Sequence, residues 1–168
     1  MTVRPLAAAA LLAAALAACA PLPPAGGFGP PSGAFNVQDF AWSARGGQAS
    51  VEGRITYAPG GQRHACIRTA ALTPDTPYTR GRFQTLYGST TSAAIPASVV
   101  RARTVADPNA DYQQYVREAP CQDGRFSFTG LPDGSWFVIA PVRAEGGEPI
   151  ALMRRVTTRG GRMTSVEM

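Results

Sequence analysis

The chain has 168 residues, with 16 arginines, no lysine, 11 acidic residues and a formal net charge of +5. This length and balance fit one basic domain of ordinary size. Without lysine, the chain cannot supply a Walker phosphate-loop lysine, a Schiff-base lysine, a lysine cross-link or a lysine general base. A single histidine, His64, leaves little room for histidine catalysis or for a metal site built from several histidines.

The first 18 residues have the pattern of an export signal. Arg4 is followed, from residue 6 to residue 18, by an unbroken run of 13 Leu and Ala residues. A membrane-spanning helix needs about 20 apolar residues, so this run is too short to span. A charged start, a short apolar run and small residues at its end are typical of a secretory signal peptide. We therefore assign residues 1–18 to a signal peptide.

The signal ends in Leu16-Ala17-Ala18-Cys19, which resembles the lipobox of bacterial lipoproteins. The resemblance implies cleavage before Cys19 and attachment of lipid to its thiol, and several acyl chains of this kind hold a protein stably at a membrane. Ala20 stands where an Asp would imply retention in the inner membrane, so the expected location is the outer membrane, facing the periplasm. The alternative is ordinary secretion with cleavage after Ala13-Ala14-Ala15, which would leave Cys19 as a free thiol.

Residues 19–34 form the expected link between the lipid and the folded domain. Nine of the 14 residues from Ala20 to Gly33 are Pro or Gly, a composition that buries too little apolar surface to order itself. At about 3.1 Å per residue, such a tether reaches roughly 40 Å. The folded domain is then expected to cover residues 35–168, with an insert at 73–122.

The domain has the pattern of many short strands separated by glycine turns. In 48–57, Val51, Ile55 and Tyr57 alternate with polar residues, which predicts a half-buried strand. Pro149–Thr158 and Arg162–Met168 are predicted as two further strands that form a hairpin.

A second, central hairpin is predicted from Gly124–Thr129 and Ser135–Ala140. Apolar residues on both faces of the latter strand predict that it is covered on two sides. Another strand is predicted over Ala65–Leu72, with Arg68 breaking its pattern. Helical periodicity over ten or more residues is not found outside the signal. The predicted fold class is therefore all-β, a single small antiparallel β-sandwich.

This framework resembles the carboxypeptidase regulatory-like domain. The resemblance is carried by Val51-x-Gly53-x-Ile55, by Ala70-x-Leu72-x-Pro74, and by the run from Asp123-Gly124-x-Phe126 through Leu131-Pro132-x-Gly134-x-Trp136. It covers the strands from about Gln48 to Val142 and skips 78–118. The chain departs from the family in this long insert and in having Trp136 where Tyr is usual. The resemblance implies a transthyretin-like β-sandwich that acts without catalysis, as a scaffold, an adhesion unit or a binder of carbohydrate or protein.

Two cysteines remain if Cys19 carries lipid. In an oxidising compartment, Cys66 and Cys121 are expected to form a disulfide bond. The alternative is a pair of buried free thiols.

Metal binding and catalysis find little support. Asp107 to Asp111, with Glu118, occupy the acidic positions of an EF-hand loop, but Tyr112 stands where that loop requires Gly. A Pro-Asn turn followed by a strand through Tyr115 and Val116 is the preferred interpretation, and no metal or cofactor is predicted. His64 is interpreted as a surface turn residue, and no nucleophile motif or carboxylate pair indicates an enzyme.

One segment combines aromatic rings with arginines. The candidate ligand-contact residues are Tyr78, Arg80, Arg82 and Tyr87. Such groups stack on sugars or bind anionic groups. The alternative is that the aromatic rings cover a sandwich edge and the arginines are simply solvated. Nucleic acid is not an expected partner, because export removes the chain from it.

The sequence thus predicts a lipid-anchored bacterial envelope protein whose domain is a non-enzymatic structural or binding module facing the periplasm. The expected partners are the membrane, through the lipid, and an envelope glycan or another envelope protein. The alternative hypothesis is a carbohydrate- or peptidoglycan-binding lipoprotein that uses the aromatic and arginine residues of the insert.

Overall fold

A computed structural model describes residues 33–103, 105 and 111–168. The predicted signal, Cys19, most of the tether and the Pro-Asn turn at 108–109 lie outside these residues. The described part contains nine strands, numbered in chain order: β1 (Ala49–Arg54), β2 (Ala65–Cys66), β3 (Ala70–Pro74), β4 (Ser92–Pro96), β5 (Arg117–Ala119), β6 (Arg125–Leu131), β7 (Gly134–Arg143), β8 (Ile150–Thr158) and β9 (Met163–Glu167).

Helices are short and lie outside the sheets. They are α1 (Val37–Phe40), α2 (Pro77–Tyr87) and α3 (Ala97–Ala102), with 3-10 turns at Pro59–Gly61 and Asp111–Tyr115. Within the described residues, no helix is long and apolar enough to cross a membrane.

Two sheets pack face to face, which confirms the predicted all-β sandwich. The smaller sheet has the strand order β6-β1-β9, in which β9 runs parallel to β1. The larger sheet has the order β4-β8-β7-β3-β5, with β2 also paired to β7, and its pairings are antiparallel. Alternation along each strand places one set of side chains between the sheets.

The main core fills the space between the two sheets. Trp136 is its largest side chain, and Val51, Leu72 and Leu131 are fully buried with it. The indole nitrogen of Trp136 donates to Oγ1 of Thr158 at 3.2 Å, which satisfies the polar edge of the ring inside the core.

A second apolar cluster lies on the outer face of the larger sheet. Phe137 and Met153, on β7 and β8, are buried there beneath Phe83 of α2, whose ring lies 4.7 Å from that of Phe137. This cover explains why β7 is apolar on both faces and confirms the prediction that its strand is covered on two sides.

Both predicted hairpins are wrong, although their strands are present. β6 pairs with β1 and β7 pairs with β3 and β8, so the turn at residues 132–133 crosses from one sheet to the other. In the same way, β8 belongs to the larger sheet and β9 to the smaller. The reason is burial: β6 and β9 each have one exposed, polar face, whereas β7 needs neighbours on both edges and cover on both faces.

The helix α2 has 11 residues although its sequence lacks helical periodicity, so the pattern did not predict it. Thr76 caps its first turn in a reciprocal pair with Thr79, Pro77 occupies the first turn, and Gly88 ends it with φ of 72°. The strand expected through Tyr115 and Val116 begins instead at Arg117, and Tyr115 is the last residue of the 3-10 turn.

The predicted strand over Ala65–Leu72 is present as two pieces. β2 and β3 both pair with β7, and the segment between them, which contains Arg68, leaves the sheet. Cys66 at the end of β2 forms the predicted disulfide bond with Cys121, with a Cα to Cα distance of 5.9 Å. The bond joins the larger sheet to the segment that leads into β6, and so ties one end of the sandwich.

Candidate functional site

A cleft of about 440 Å³ opens on the outer face of the larger sheet, between α2 and the 3-10 turn at Asp111–Tyr115. We call it the α2 cleft. The residues that line it come from the sheet, from α2 and from the segment 112–118: Ala71, Thr73, Phe83, Leu86, Tyr87, Tyr112, Gln113, Val116, Glu118 and Ile139.

The floor of the α2 cleft is apolar. Strand register places Ala71 of β3 opposite Ile139 of β7 on one side and opposite Glu118 of β5 on the other. Phe83 of α2 is buried against this surface. The sheet therefore supplies a flat hydrophobic base, and Glu118 stands at its edge.

The rim of the α2 cleft carries several kinds of hydrogen-bonding group. Tyr112 contributes a hydroxyl, Gln113 an exposed amide, and Glu118 an exposed carboxylate that accepts a hydrogen bond from Oγ1 of Thr69 at 3.4 Å. A pocket with an apolar base and a few polar groups is the usual form of a small-ligand site.

Tyr112 forms the aromatic wall, and the buried ring of Tyr87 also borders the cleft. Burial is the main reason why the pKa of Tyr87 is raised to about 12. Neighbouring Tyr112 also raises this pKa, whereas the nearby Arg82 guanidinium lowers it. Arg82 lies 5.1 Å from the centre of the Tyr112 ring, in the geometry of a cation–π contact. The Tyr87 phenol therefore keeps its proton at physiological pH.

An ion-pair cluster holds the start of α2 on the sheet. Asp75, whose side chain is fully buried, lies at the end of β3 and is bound by Arg80 of α2 at 2.9 Å. Arg155 of β8 binds the other carboxylate oxygen. The backbone N–H of Asp75 donates to the carbonyl of Ser135 at 2.9 Å. These contacts bind the first turns of α2 to the end of β3 and to β8.

The four residues singled out from the sequence have different surroundings. Tyr87 lines the cleft and Arg82 lies against its wall, whereas Arg80 is bound to Asp75. Tyr78 is buried, and its ring packs against that of Phe35 at 5.7 Å. Ligand contact by the four stays a prediction, and burial of both tyrosine rings leaves little of either surface for a ligand.

Sequence reasoning did not single out Tyr112, Gln113 or Glu118 as ligand contacts. Tyr112 and Glu118 entered only as positions in a rejected EF-hand pattern. The sequence signal that could have identified them is that one aromatic and several polar residues lie together in an insert without strand periodicity.

Two larger clefts lie elsewhere. One, of about 730 Å³, lies over the exposed face of the smaller sheet, and the other, of about 750 Å³, lies beside the disulfide bond. The cleft over the smaller sheet has no exposed aromatic wall, and its lining includes the polar residues Glu52, Arg54 and Ser127. In the described part of the chain, no group of three or more His, Cys, Asp or Glu residues is arranged to hold a metal ion.

The chain matches no protein-family model and no curated protein sequence. Its structure is similar to the crystal structure of a protein from Pseudomonas aeruginosa that is proposed to bind carbohydrate, with a TM-score of 0.56 and 23% sequence identity. The match covers 80% of this chain and 96% of that one. This likeness shows a shared fold, and the resemblance to the carboxypeptidase regulatory-like domain stays a prediction.

Proposed function

We propose that this protein is a lipid-anchored, non-enzymatic component of the bacterial envelope that binds glycan in the α2 cleft. The observation that carries the proposal is the lining of this cleft. A sugar ring presents an apolar face and a rim of hydroxyls, and it is complemented by an aromatic surface edged with hydroxyl, amide and carboxylate groups. Tyr112, Gln113 and Glu118 supply these groups on the apolar base.

The structural neighbour adds a modest argument, since a protein with the same fold is itself proposed to bind carbohydrate. The proposal is for binding without catalysis. Glycoside hydrolysis generally uses two carboxyl groups flanking the bond that is cut. Among the described residues that line the α2 cleft, Glu118 is the one carboxylate.

The binding test measures retention of the protein on insoluble peptidoglycan and on immobilised lipopolysaccharide, followed by calorimetric titration with fragments of whichever glycan retains it. Tyr112→Ala and Gln113→Ala are expected to weaken binding about tenfold each, since each removes a stacking or hydrogen-bonding partner. Gln114→Ala is the matched control, because Gln114 is exposed, lies in the same 3-10 turn and does not line the cleft.

The outcomes separate glycan binding from a purely structural role. If neither glycan retains the protein, or if Gln113→Ala and Gln114→Ala weaken binding equally, the cleft is not a glycan site. The module would then be the structural component predicted as the first hypothesis from the sequence.

The anchor has its own test. Cells that express the full chain and are fed labelled palmitate are expected to label the wild-type protein but not Cys19→Ser. Fractionation of the labelled cells tests the outer-membrane location. A label that persists in Cys19→Ser would reject this anchor without bearing on the cleft.

A further inference from the structure

Three loops meet at one end of the sandwich, which we call the glycine end. They are residues 45–48 before β1, the turn at 132–133 between β6 and β7, and residues 159–162 between β8 and β9. The N–H of Gly47 donates to the carbonyl of Gly130 at 3.1 Å, and the N–H of Gly160 donates to Oδ2 of Asp133 at 2.7 Å. The loops are therefore bound to one another and present one surface.

Exposed arginines dominate this surface. Arg45, Arg159 and Arg162 are all exposed, and among the described residues none of the three forms an ion pair. The carboxylate of Asp133 already accepts the Gly160 N–H. The glycine end is consequently cationic, with three exposed guanidinium groups, of which that of Arg45 also donates a long hydrogen bond to the carbonyl of Trp42 at 3.5 Å.

An apolar side chain stands among these charges. Met163 directly follows Arg162 and is 56% exposed, the highest value among the large hydrophobic residues of the described chain. Solvent exposure of such a side chain beside cationic groups is unfavourable in water and favourable at a lipid headgroup layer, where its apolar atoms are partly removed from water.

The chain also enters the domain at this end. A methyl group placed on Gly33 would lie 3.5 Å from Cβ of Pro77, so Gly33 lies beside the first residue of α2. Pro77 follows Asp75, whose N–H is bonded to Ser135 at the start of β7. The predicted tether from Cys19 therefore leaves the sandwich close to the cationic loops.

The opposite end of the sandwich has a smaller excess of positive charge. The cleft beside the disulfide bond contains Arg54, Arg63 and Arg143, but also the carboxylates of Asp123 and Glu145. The glycine end, with three exposed arginines and the carboxylate of Asp133, therefore has the larger excess of positive charge of the two ends.

We infer that the glycine end rests on an anionic phospholipid surface, with Arg45, Arg159 and Arg162 at the headgroup phosphates and Met163 at the headgroup layer. The contact goes beyond glycan binding, because it fixes the orientation of the domain on its membrane. The anchor would bring the domain to the surface, but the contact itself is measurable without the anchor.

The experiment uses a chain that begins at Ala20 and therefore keeps all the described strands and helices. It is sedimented with vesicles of phosphatidylcholine alone and with vesicles that contain phosphatidylglycerol. Binding is expected with the anionic vesicles alone and is expected to fall as salt is raised, since exposed charges are screened beyond about 8 Å at 0.15 M ionic strength.

The decisive comparison is between two double variants that remove equal charge. Each arginine near an anionic surface contributes about a fivefold gain in partitioning, so Arg159→Ser/Arg162→Ser is expected to lower binding roughly 20-fold. Arg63→Ser/Arg143→Ser, at the opposite end, is expected to leave binding within about twofold of the wild type. Arg45→Ser, outside the turn, is expected to lower it about fivefold.

Equal losses in the two double variants would overturn the inference, because they would show a response to net charge alone. Tighter binding to heparin than to anionic vesicles would also overturn it, since the partner would then be a soluble polyanion. Loss of glycan binding in the Tyr112→Ala variant leaves this measurement unaffected, so the two proposals fail separately.

Discussion

The ring of Phe126 occupies the space that a side chain on Gly53 would fill. The two residues are cross-strand partners on β6 and β1, and Phe126 is buried in the main core. A Cβ at position 53 would stand closer to the ring than any real contact allows. The absence of a side chain on one strand is therefore what allows a large aromatic residue on the next.

Gly53→Ala is expected to lower the free energy of unfolding by about 2 kcal/mol, because the added methyl group forces Phe126 or the strand to move. Urea denaturation followed by tryptophan fluorescence measures the change. Gly46→Ala is the control, since nothing lies within 4 Å of a Cβ there. We expect that control to stay within about 0.5 kcal/mol of the wild type. A similar loss in both variants would contradict the packing explanation.

Substitutions of the two arginines that bind Asp75 are expected to have non-additive effects on stability. Arg80→Ala and Arg155→Ala are each expected to cost about 1 kcal/mol, because these side chains are 49% and 39% exposed and each variant leaves one guanidinium on Asp75. The double variant leaves a buried carboxylate without a cation and is expected to cost about 4 kcal/mol. Adding Asp75→Asn to the double variant should restore part of that stability. Additive losses in chemical denaturation would show that the two pairs act independently.

The disulfide bond closes a separation of 55 residues between Cys66 and Cys121. In the chain-entropy model, such a loop contributes about 4 kcal/mol to stability. The Cys66→Ser/Cys121→Ser variant is therefore expected to unfold at much lower urea concentration than the oxidised protein. Reduction of the wild type with dithiothreitol should produce the same shift. If the reduced protein and the variant unfold like the oxidised protein, the loop entropy is offset elsewhere.

Tyr87 predicts a loss of stability in alkaline solution. The pKa of Tyr87 is about 12 in the folded protein against the ordinary value of 10.0, so the unfolded chain loses this proton first. The stability that comes from this pKa difference is fully present below pH 10 and is lost as the pH rises through 12. The free energy of unfolding is then lower by up to about 3 kcal/mol. Denaturation of wild type and Tyr87→Phe between pH 9 and pH 12 measures it. The variant is expected to lose less stability over this interval, and parallel curves would contradict the shift.

The sequence was sufficient to identify most strands but not their partners. Alternation at Val51 and Gly53, and the doubly apolar run that begins at Trp136, each reflect the local burial of one strand. Pairing depends on which sheet can cover a strand, and this is a property of the whole chain. For that reason the short turn before Gly134 favoured a hairpin, whereas burial on both faces placed β7 in the other sheet.

The α2 cleft was harder to predict for a related reason. The helix had readable start and stop signals in Thr76, Pro77 and Gly88, but its apolar residues lack a regular helical spacing because they pack against a sheet and a 3-10 turn at once. Tyr112 and Glu118 come near Tyr87 through the pairing of β5 with β3, which no local pattern reveals.

The parallel pairing of β9 with β1 sets an order for assembly of the domain. Ser50 pairs with Met163, so the first strand completes its sheet only when the last described strand is present. During synthesis from the N-terminus, β1 therefore has at least one open edge until β9 has been made. Contacts of such large sequence separation fold slowly. A chain cut short before Met163 retains the strands of the larger sheet but has only two of the three strands of the smaller sheet, so β1 keeps an open edge that can pair with another chain.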